Sequence, residues 1–408
     1  MNVLEVSSSL ASRPKPGAAI GFLFNHDHLH QIAHSAPIAF ELSRLSPALD
    51  VVLMASSESQ LRYLQDLAQR FPGQRCRCIR LSLPLLMRAM SAAFDPLMPF
   101  SRVATLIANR AQFAALDVLV VPEKTSLLLR SRLGLKHLKF VHTRHGAGDR
   151  EVGFNRSSGA FDLVLMSGPK IRDRLAAAGA LRDGGHAIVG YAKFDLLRDA
   201  PPPPRLFDND RPTVLYNPHF SPRLSSWYRC GLDVLEYFHQ SDRYNLIFAP
   251  HVMLFRKRFQ VSLERFRIDR PGKIPQRFRD NPHLLIDLGS GRSVDMTYTR
   301  AADVYLGDAS SQIYEFLLNP RPCVFINAQR AAWQNDLNYN HWQAGPVIES
   351  VDGLERALSE SIGQFDRWRP IQESLFKYSF DFNEKPSALR GAEAIAAFIA
   401  RNPVPTLV

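Results

Sequence analysis

Cysteine is scarce. The four present, Cys76, Cys78, Cys230 and Cys323, form neither a disulfide framework nor a Cys-x-x-Cys pair. That fits a reducing compartment, and the Cys76-Arg77-Cys78 pair, lacking a companion set, reads as structural rather than as a zinc or redox centre. Long hydrophobic runs are missing too: no uncharged apolar stretch approaches the roughly 18 residues that a membrane-spanning helix needs. The first ten residues hold an early acid, Glu5, without a basic cluster or an apolar core, so no secretory leader is expected. Negative charge is in deficit. Against 50 Lys and Arg stand 39 Asp and Glu, a net +11, which points to anionic partners: nucleic acid, an acidic membrane surface or a phosphorylated substrate. Disorder is excluded by 46% hydrophobic and 22% charged residues. Repeats and low-complexity tracts are absent apart from Pro201-Pro202-Pro203-Pro204.

What is present is alternation. Apolar strand-like runs at Ala19 to Phe24, Val51 to Met54, Cys78 to Leu81, Val118 to Val121, Phe140 to His142, Leu163 to Met166 and 186 to 190 are separated by helix-like segments such as Gln31 to Leu45 and Glu58 to Arg70. The prolines at 201 to 204 are stiff and extended and suit a domain junction. Beyond them the pattern restarts, with strands at Thr213 to Tyr216, Leu246 to Phe248, Leu284 to Asp287, Val304 to Leu306 and Cys323 to Ile326, and helices at Leu224 to Gln240, Ser293 to Ala301 and Gln312 to Leu318. The expected fold class is α/β: two doubly wound Rossmann-like domains facing a cleft, over residues 1–200 and 201–385. A helix in 386–408 is expected to pack back across the junction. Residues 82 to 100, rich in Leu, Met and Phe, read either as an irregular buried connection or as a membrane-interface segment; Pro84, Pro96 and Pro99 preclude one long helix.

Ligands in such sheets bind beyond the carboxyl ends of strands, so the polar residues there are the candidates. After the first strand come Asn25, His26, Asp27, His28 and His30, which read as a polar cleft lining in preference to a metal site. After Phe140-Val141 come His145, Gly146 and Gly148, the histidine suited by its ordinary pKa near 6.5 to proton transfer. Tyr216-Asn217-Pro218-His219 and Ala249-Pro250-His251 end two strands of the second half. Asp308-Ala309-Ser310-Ser311 lies between a strand and a helix whose first turn the serines are expected to cap, an arrangement able to hold phosphate. Beyond His251, nine Lys or Arg from Arg256 to Arg279 offer an electrostatic funnel for a phosphorylated substrate or an anchor to acidic lipid.

Residues 302 to 318, followed by Pro322-Cys323-Val324-Phe325-Ile326, resemble the signature of the CDP-glycerol glycerophosphotransferase family, which builds teichoic-acid-type and capsular polymers. His145-Gly146, Gly190-Tyr191-Ala192-Lys193-Phe194-Asp195, Tyr216-Asn217-Pro218-His219 and Pro250-His251 fall in the family's order. Ala309 replaces the usual aromatic, and Ala192 stands where the family has proline. The resemblance implies a GT-B architecture and transfer of glycerol phosphate from a CDP-activated donor to the hydroxyl of a polymer or lipid-linked acceptor. It implies His145 as general base and His251 as a second catalytic residue, holding the donor pyrophosphate with Ser310 and Ser311. Gly146 and His219 join the binding set, Glu315 takes ribose hydroxyls, and Asp308 orders the turn. No cofactor is implied, nor a metal, since no acidic motif for a divalent ion accompanies these strand ends. The expected location is cytoplasmic, peripheral on the inner face of an anionic membrane.

Other readings share the pattern. A UDP- or CMP-sugar-dependent glycosyltransferase or a hydrolysing sugar-nucleotide epimerase has the same two-domain layout, and a non-catalytic polyanion-binding protein would use the same charge. Nucleic acid is not expected as partner, because no helix-turn-helix, zinc finger or aromatic RNA platform accompanies the basic residues.

Overall fold

A computed structural model describes residues 4–7, 17–25, 29–95, 100–144, 146–150, 153–262 and 267–402. His145, His26, Asp27, His28 and Arg265 lie outside the described residues. The chain forms two compact units, one of residues 1–145, 154–200 and 379–408, the other of 146–153 and 201–378.

The first unit is built on eight parallel strands: β1 (Glu5–Ser7), β2 (Ala19–Phe24), β3 (Asp50–Ala55), β4 (Arg77–Arg80), β5 (Val118–Val121), β6 (Lys139–Thr143), β7 (Leu163–Met166) and β8 (His186–Ile188), in the order β1-β4-β3-β2-β5-β6-β7-β8. Its central strands are apolar almost throughout because both faces are covered: Ile20, Phe22 and Phe24 of β2 pack into one core, Ala19 and Leu23 into another. The strand order reverses between β2 and β5, and the loops following β5, β6 and β7 line up on one side of that reversal. The helix Ser387–Arg401 belongs to this unit and packs on the helix Ile32–Leu45. Gly391 makes the approach possible, since a Cβ there would come within 2.9 Å of the Ile38 Cδ1. The boundary expected after residue 385 thus falls after 378. His34 is buried against the Tyr191 ring at 4.9 Å, a packing role. The segment expected as irregular is helical, Leu85–Phe94 and Phe100–Ala108, with Pro84 at the first boundary where its missing N–H costs nothing.

The second unit holds β9 (Thr213–Asn217), β10 (Asn245–Phe248), a two-stranded antiparallel hairpin of β11 (Gln260–Ser262) and β12 (Arg267–Asp269), then β13 (Leu284–Ile286), β14 (Val304–Gly307), β15 (Cys323–Ile326) and β16 (Val347–Ile348). The main sheet is parallel, in the order β13-β10-β9-β14-β15-β16. Its reversal point lies between β9 and β14, paired from Val304–Val214 to Gly307–Asn217. The basic segment after His251 carries the hairpin, where Arg270 lies over the Phe259 ring and Arg277 bonds Glu236 at 2.8 Å.

One expectation is corrected. The helix after the polar turn is a single turn, Ile313–Phe316, with Gln312 at its cap and no side-chain cap bond. Asn319, Pro320 and Pro322 follow, and proline disfavours helix in the residue before it. Arg321 closes the end: its guanidinium lies 4.0 Å over the Phe316 ring and donates to the carbonyls of Thr299, Arg300, Ala302 and Phe316. So short a helix has little dipole, and the turn's capacity for anions rests on its side chains.

Candidate functional site

Asp308, at the carboxyl end of β14, organises the reversal point. It is fully buried, and both carboxylate oxygens are occupied. Oδ1 accepts the His219 and Ala309 N–H groups at 2.8 and 2.6 Å; Oδ2 accepts the Ser226 N–H and hydroxyl at 2.6 and 2.9 Å. Burial raises its pKa to about 6, opposed by those donors. It therefore ties the end of β9 to the turn after β14, as an ordering residue with no surface for a ligand.

His219 is the residue so fixed. Its Nδ1 accepts the Ser221 N–H at 3.0 Å, which leaves the proton of the neutral ring on Nε2. Burial, then His251 and Arg150, push its pKa well below the ordinary value, so the ring stays neutral at physiological pH. His251, half-buried after β10, repeats the arrangement. Its Nδ1 accepts the Met253 N–H at 3.2 Å, and its N–H bonds the Pro218 carbonyl at 3.0 Å. The rings lie 5.5 Å apart. Both histidines therefore present Nε2–H as hydrogen-bond donors, and neither has a free basic nitrogen at Nδ1.

The serine pair divides. Ser310 is buried, its hydroxyl accepting the Gln312 N–H at 3.4 Å beside the Tyr305 phenol, whereas Ser311 is exposed. Gly146 adopts the left-handed region at φ 77°, and a Cβ added there would lie 3.7 Å from the Ser311 hydroxyl; one at Gly148 would come to 3.1 Å of the Ser311 Cβ. Glu315 is buried on the one-turn helix. Gly146, His219, Asp308, Ser310, Ser311 and His251 are thus assembled at one sheet edge in the second unit.

Sequence reasoning missed the framework behind this edge. Asp149 is buried, and its Oδ2 accepts the His341 Nδ1–H at 2.8 Å while both oxygens face the Tyr314 hydroxyl at 2.7 Å. The His341 Nε2 donates to the Asp308 carbonyl at 2.9 Å, which also accepts the Trp342 Nε1–H at 2.8 Å. Both ring nitrogens of His341 thus face oxygens, one of Asp149 and one of the Asp308 carbonyl. This buried carboxylate–histidine pair seats residues 146–150 against the turn. The one signal in the sequence was the polar aromatic cluster Asn340-His341-Trp342, in a stretch without periodicity.

No protein-family model matches the sequence, and no curated protein matches it. Solved structures do match in fold. The Wall Teichoic Acid Polymerase TagF, as a histidine-to-asparagine variant soaked with CDPG, is 14% identical and superimposes with a TM-score of 0.60 over 95% of this chain and 90% of that one. S. aureus MnaA, solved with UDP, is 10% identical with a TM-score of 0.59 over 95% and 97%. A UDP-N-acetylglucosamine 2-epimerase is 11% identical with a TM-score of 0.54 over 98% and 97%. The fold is GT-B: two parallel sheets, each flanked by helices. At such identities the likeness carries the architecture and leaves the chemistry to the residues.

Proposed function

We propose that the second unit binds the diphosphate of a CDP-activated donor at the β9/β14 reversal point, and that the chain is a remote member of the CDP-glycerol glycerophosphotransferase family. The observation that carries this reading is the convergence of His219 and His251, 5.5 Å apart, both committed as Nε2–H donors at the carboxyl edge where such sheets bind ligands. Neutral donors suit a diphosphate whose charge grows on bond cleavage, because they strengthen with the charge and need no titration. The exposed Ser311 hydroxyl adds a third donor.

In the proposed reaction an acceptor hydroxyl attacks the β-phosphorus of CDP-glycerol, the bond to the bridging oxygen breaks, and CMP leaves. The proton of the hydroxyl passes to His145. His251 and His219 stabilise the departing phosphate oxygen. Polymer synthesis at the cell surface supplies the acceptor in this reading.

Thermal-shift screening of the full chain against CDP-glycerol, CMP-sugars and UDP-sugars, followed by assay of released nucleotide, tests it. CDP-glycerol is expected to raise the melting temperature and to yield CMP, and His251→Ala to lower kcat by about 10²- to 10³-fold, as loss of one oxyanion donor does. UDP release from a UDP-sugar, with no CMP from CDP-glycerol, would instead assign the epimerase-type reading, which the fold likeness to a UDP-N-acetylglucosamine 2-epimerase makes specific.

The reading extends to location. No helix among the described residues is long and apolar enough to cross a membrane. The helix Leu85–Phe94 exposes Leu85, Leu86, Met90 and Phe94 with Arg88 on a chain of net +11, and the proposed contact is an anionic bilayer surface. Leu85→Asp with Leu86→Asp is expected to abolish co-sedimentation with phosphatidylglycerol vesicles while preserving nucleotide release; unchanged sedimentation would sink the contact.

A further inference from the structure

The Nδ1 atoms of His219 and His251 each accept a main-chain N–H two residues on, from Ser221 at 3.0 Å and Met253 at 3.2 Å. One such bond does not orient an imidazole. The terminal torsion of histidine is broad, so a ring tied at Nδ1 still swings about that nitrogen and carries its Nε2–H with it. Packing must fix the plane, and Phe220 supplies it. In a strand, neighbouring side chains point to opposite faces. Beyond β9 the bond from Ser221 back to His219 turns the chain, and residues 219 and 220 stand side by side. Their rings are stacked, with centroids 4.4 Å apart and planes at 28°. The same phenyl ring lies 4.7 Å from the His251 ring at 48°. With the two imidazoles 5.5 Å apart, the three rings pack pairwise.

Phe220 is itself held. Its carbonyl accepts the Tyr228 hydroxyl at 2.9 Å, from the helix Trp227–Gln240, and its half-buried ring packs on the core of the second unit. The bond from Tyr228 reaches the main chain, so it survives any substitution of the ring. A phenyl group also brings no lone pair to compete for the Nε2 protons. It can therefore hold the two donors in place without engaging them, which is what a preorganised pair requires.

We propose that Phe220 is a positioning residue: its ring sets the mutual orientation of the His219 and His251 imidazoles, so that both Nε2–H groups meet the same diphosphate. That the histidines act on a diphosphate rests on the transfer reading above; that Phe220 orients them does not. The residue acts through the two rings, and its effect belongs to the step in which charge grows on the departing phosphate.

Nitrogen NMR of the full chain labelled at histidine, with His219→Ala and His251→Ala to assign the signals, tests the orientation without any turnover. In the wild type each ring is expected as a single tautomer, bare at Nδ1 and protonated at Nε2; in Phe220→Ala both nitrogen shifts are expected to move toward the average of the two tautomers. Nucleotide release from CDP-glycerol supplies the second readout. Phe220→Ala is expected to lower kcat about tenfold with KM changed less than about threefold, a smaller loss than removal of a donor because both donors remain. Phe220→Tyr is expected to restore the ring signals and kcat, whereas Phe220→Leu, apolar but not flat, restores neither. If Phe220→Ala fails to fold, the ring signals of Phe220→Leu decide. Unchanged ring signals, recovery by Leu as full as by Tyr, or a loss carried by KM alone overturns the proposal. Disturbed rings in Phe220→Ala, in a chain whose wild type releases no CMP from CDP-glycerol, keep the positioning role and lose the transfer reading.

Discussion

Asp149→Ala destabilises the second unit by about 3–5 kcal/mol, the cost of leaving several buried donors without their acceptor. The His341 ring loses its carboxylate, the Tyr314 hydroxyl loses its acceptor, and the His341 backbone N–H, which donates to Asp149 at 3.1 Å, loses its bond as well. The damage is not confined to stability. Gly148 packs against Ser311, so freeing residues 146–150 loosens the exposed hydroxyl of the turn proposed to hold the donor. On the proposed function, nucleotide release is therefore expected to fall in the fraction that remains folded. The measurement has a built-in reporter: the four tryptophans, Trp227, Trp333, Trp342 and Trp368, all belong to the second unit. Urea unfolding followed by tryptophan fluorescence thus reads that unit separately from the first, and an unchanged slope would mark a change in stability alone. A loss of under about 1 kcal/mol would show that water reaches the pair and that its burial does not govern the unit.

The second large effect is a dependence on pH. Asp308 has its folded pKa raised from 3.8 to about 6, so the folded state holds its proton more tightly than the unfolded state does. Its contribution to stability is then fully present below about pH 4 and is lost as pH rises through about 6. At about 1.4 kcal/mol for each pH unit, the loss is about 3 kcal/mol. Asp308→Asn removes that titration. It also sets an amide N–H₂ against the N–H groups of His219 or Ser226, each unsatisfied buried donor costing about 1–3 kcal/mol. The variant is expected to be less stable than the wild type throughout, with the gap widening by about 3 kcal/mol between neutral pH and about pH 4. Fluorescence-monitored unfolding over that range measures it. If the gap narrows toward acid, the four donors around the carboxylate outweigh its burial and the sign of the shift is reversed.

Both effects lie in residues of unequal visibility in the sequence. The ends of β9, β10 and β14 were legible because apolar β-prone runs stop at polar residues, and proline after Asn217 and Ala249 marks where each ladder ends. His219 and His251 followed from that alone. Asp149 was not legible. It lies in the irregular stretch after His145, and its partner His341 is 192 residues away, so no local pattern pairs them. The short helix at Ile313 was overestimated for a related reason: Ile313, Phe316 and Leu317 have helical spacing, but the same spacing serves one turn and three, and the prolines at 320 and 322 with Arg321 set the limit.

By itself the sequence determined that this protein has two α/β units with polar strand ends, because apolar periodicity and proline punctuation act over a few residues. The tertiary structure alone decided that β9 lies beside β14, bringing His219 to Asp308 across 89 positions, that Ser310 faces inward and Ser311 outward, and that Asp149 pairs with His341 behind them. Strand order is chosen by which apolar faces can be buried together, and a hydroxyl or carboxylate turns toward whichever donors that burial leaves without water.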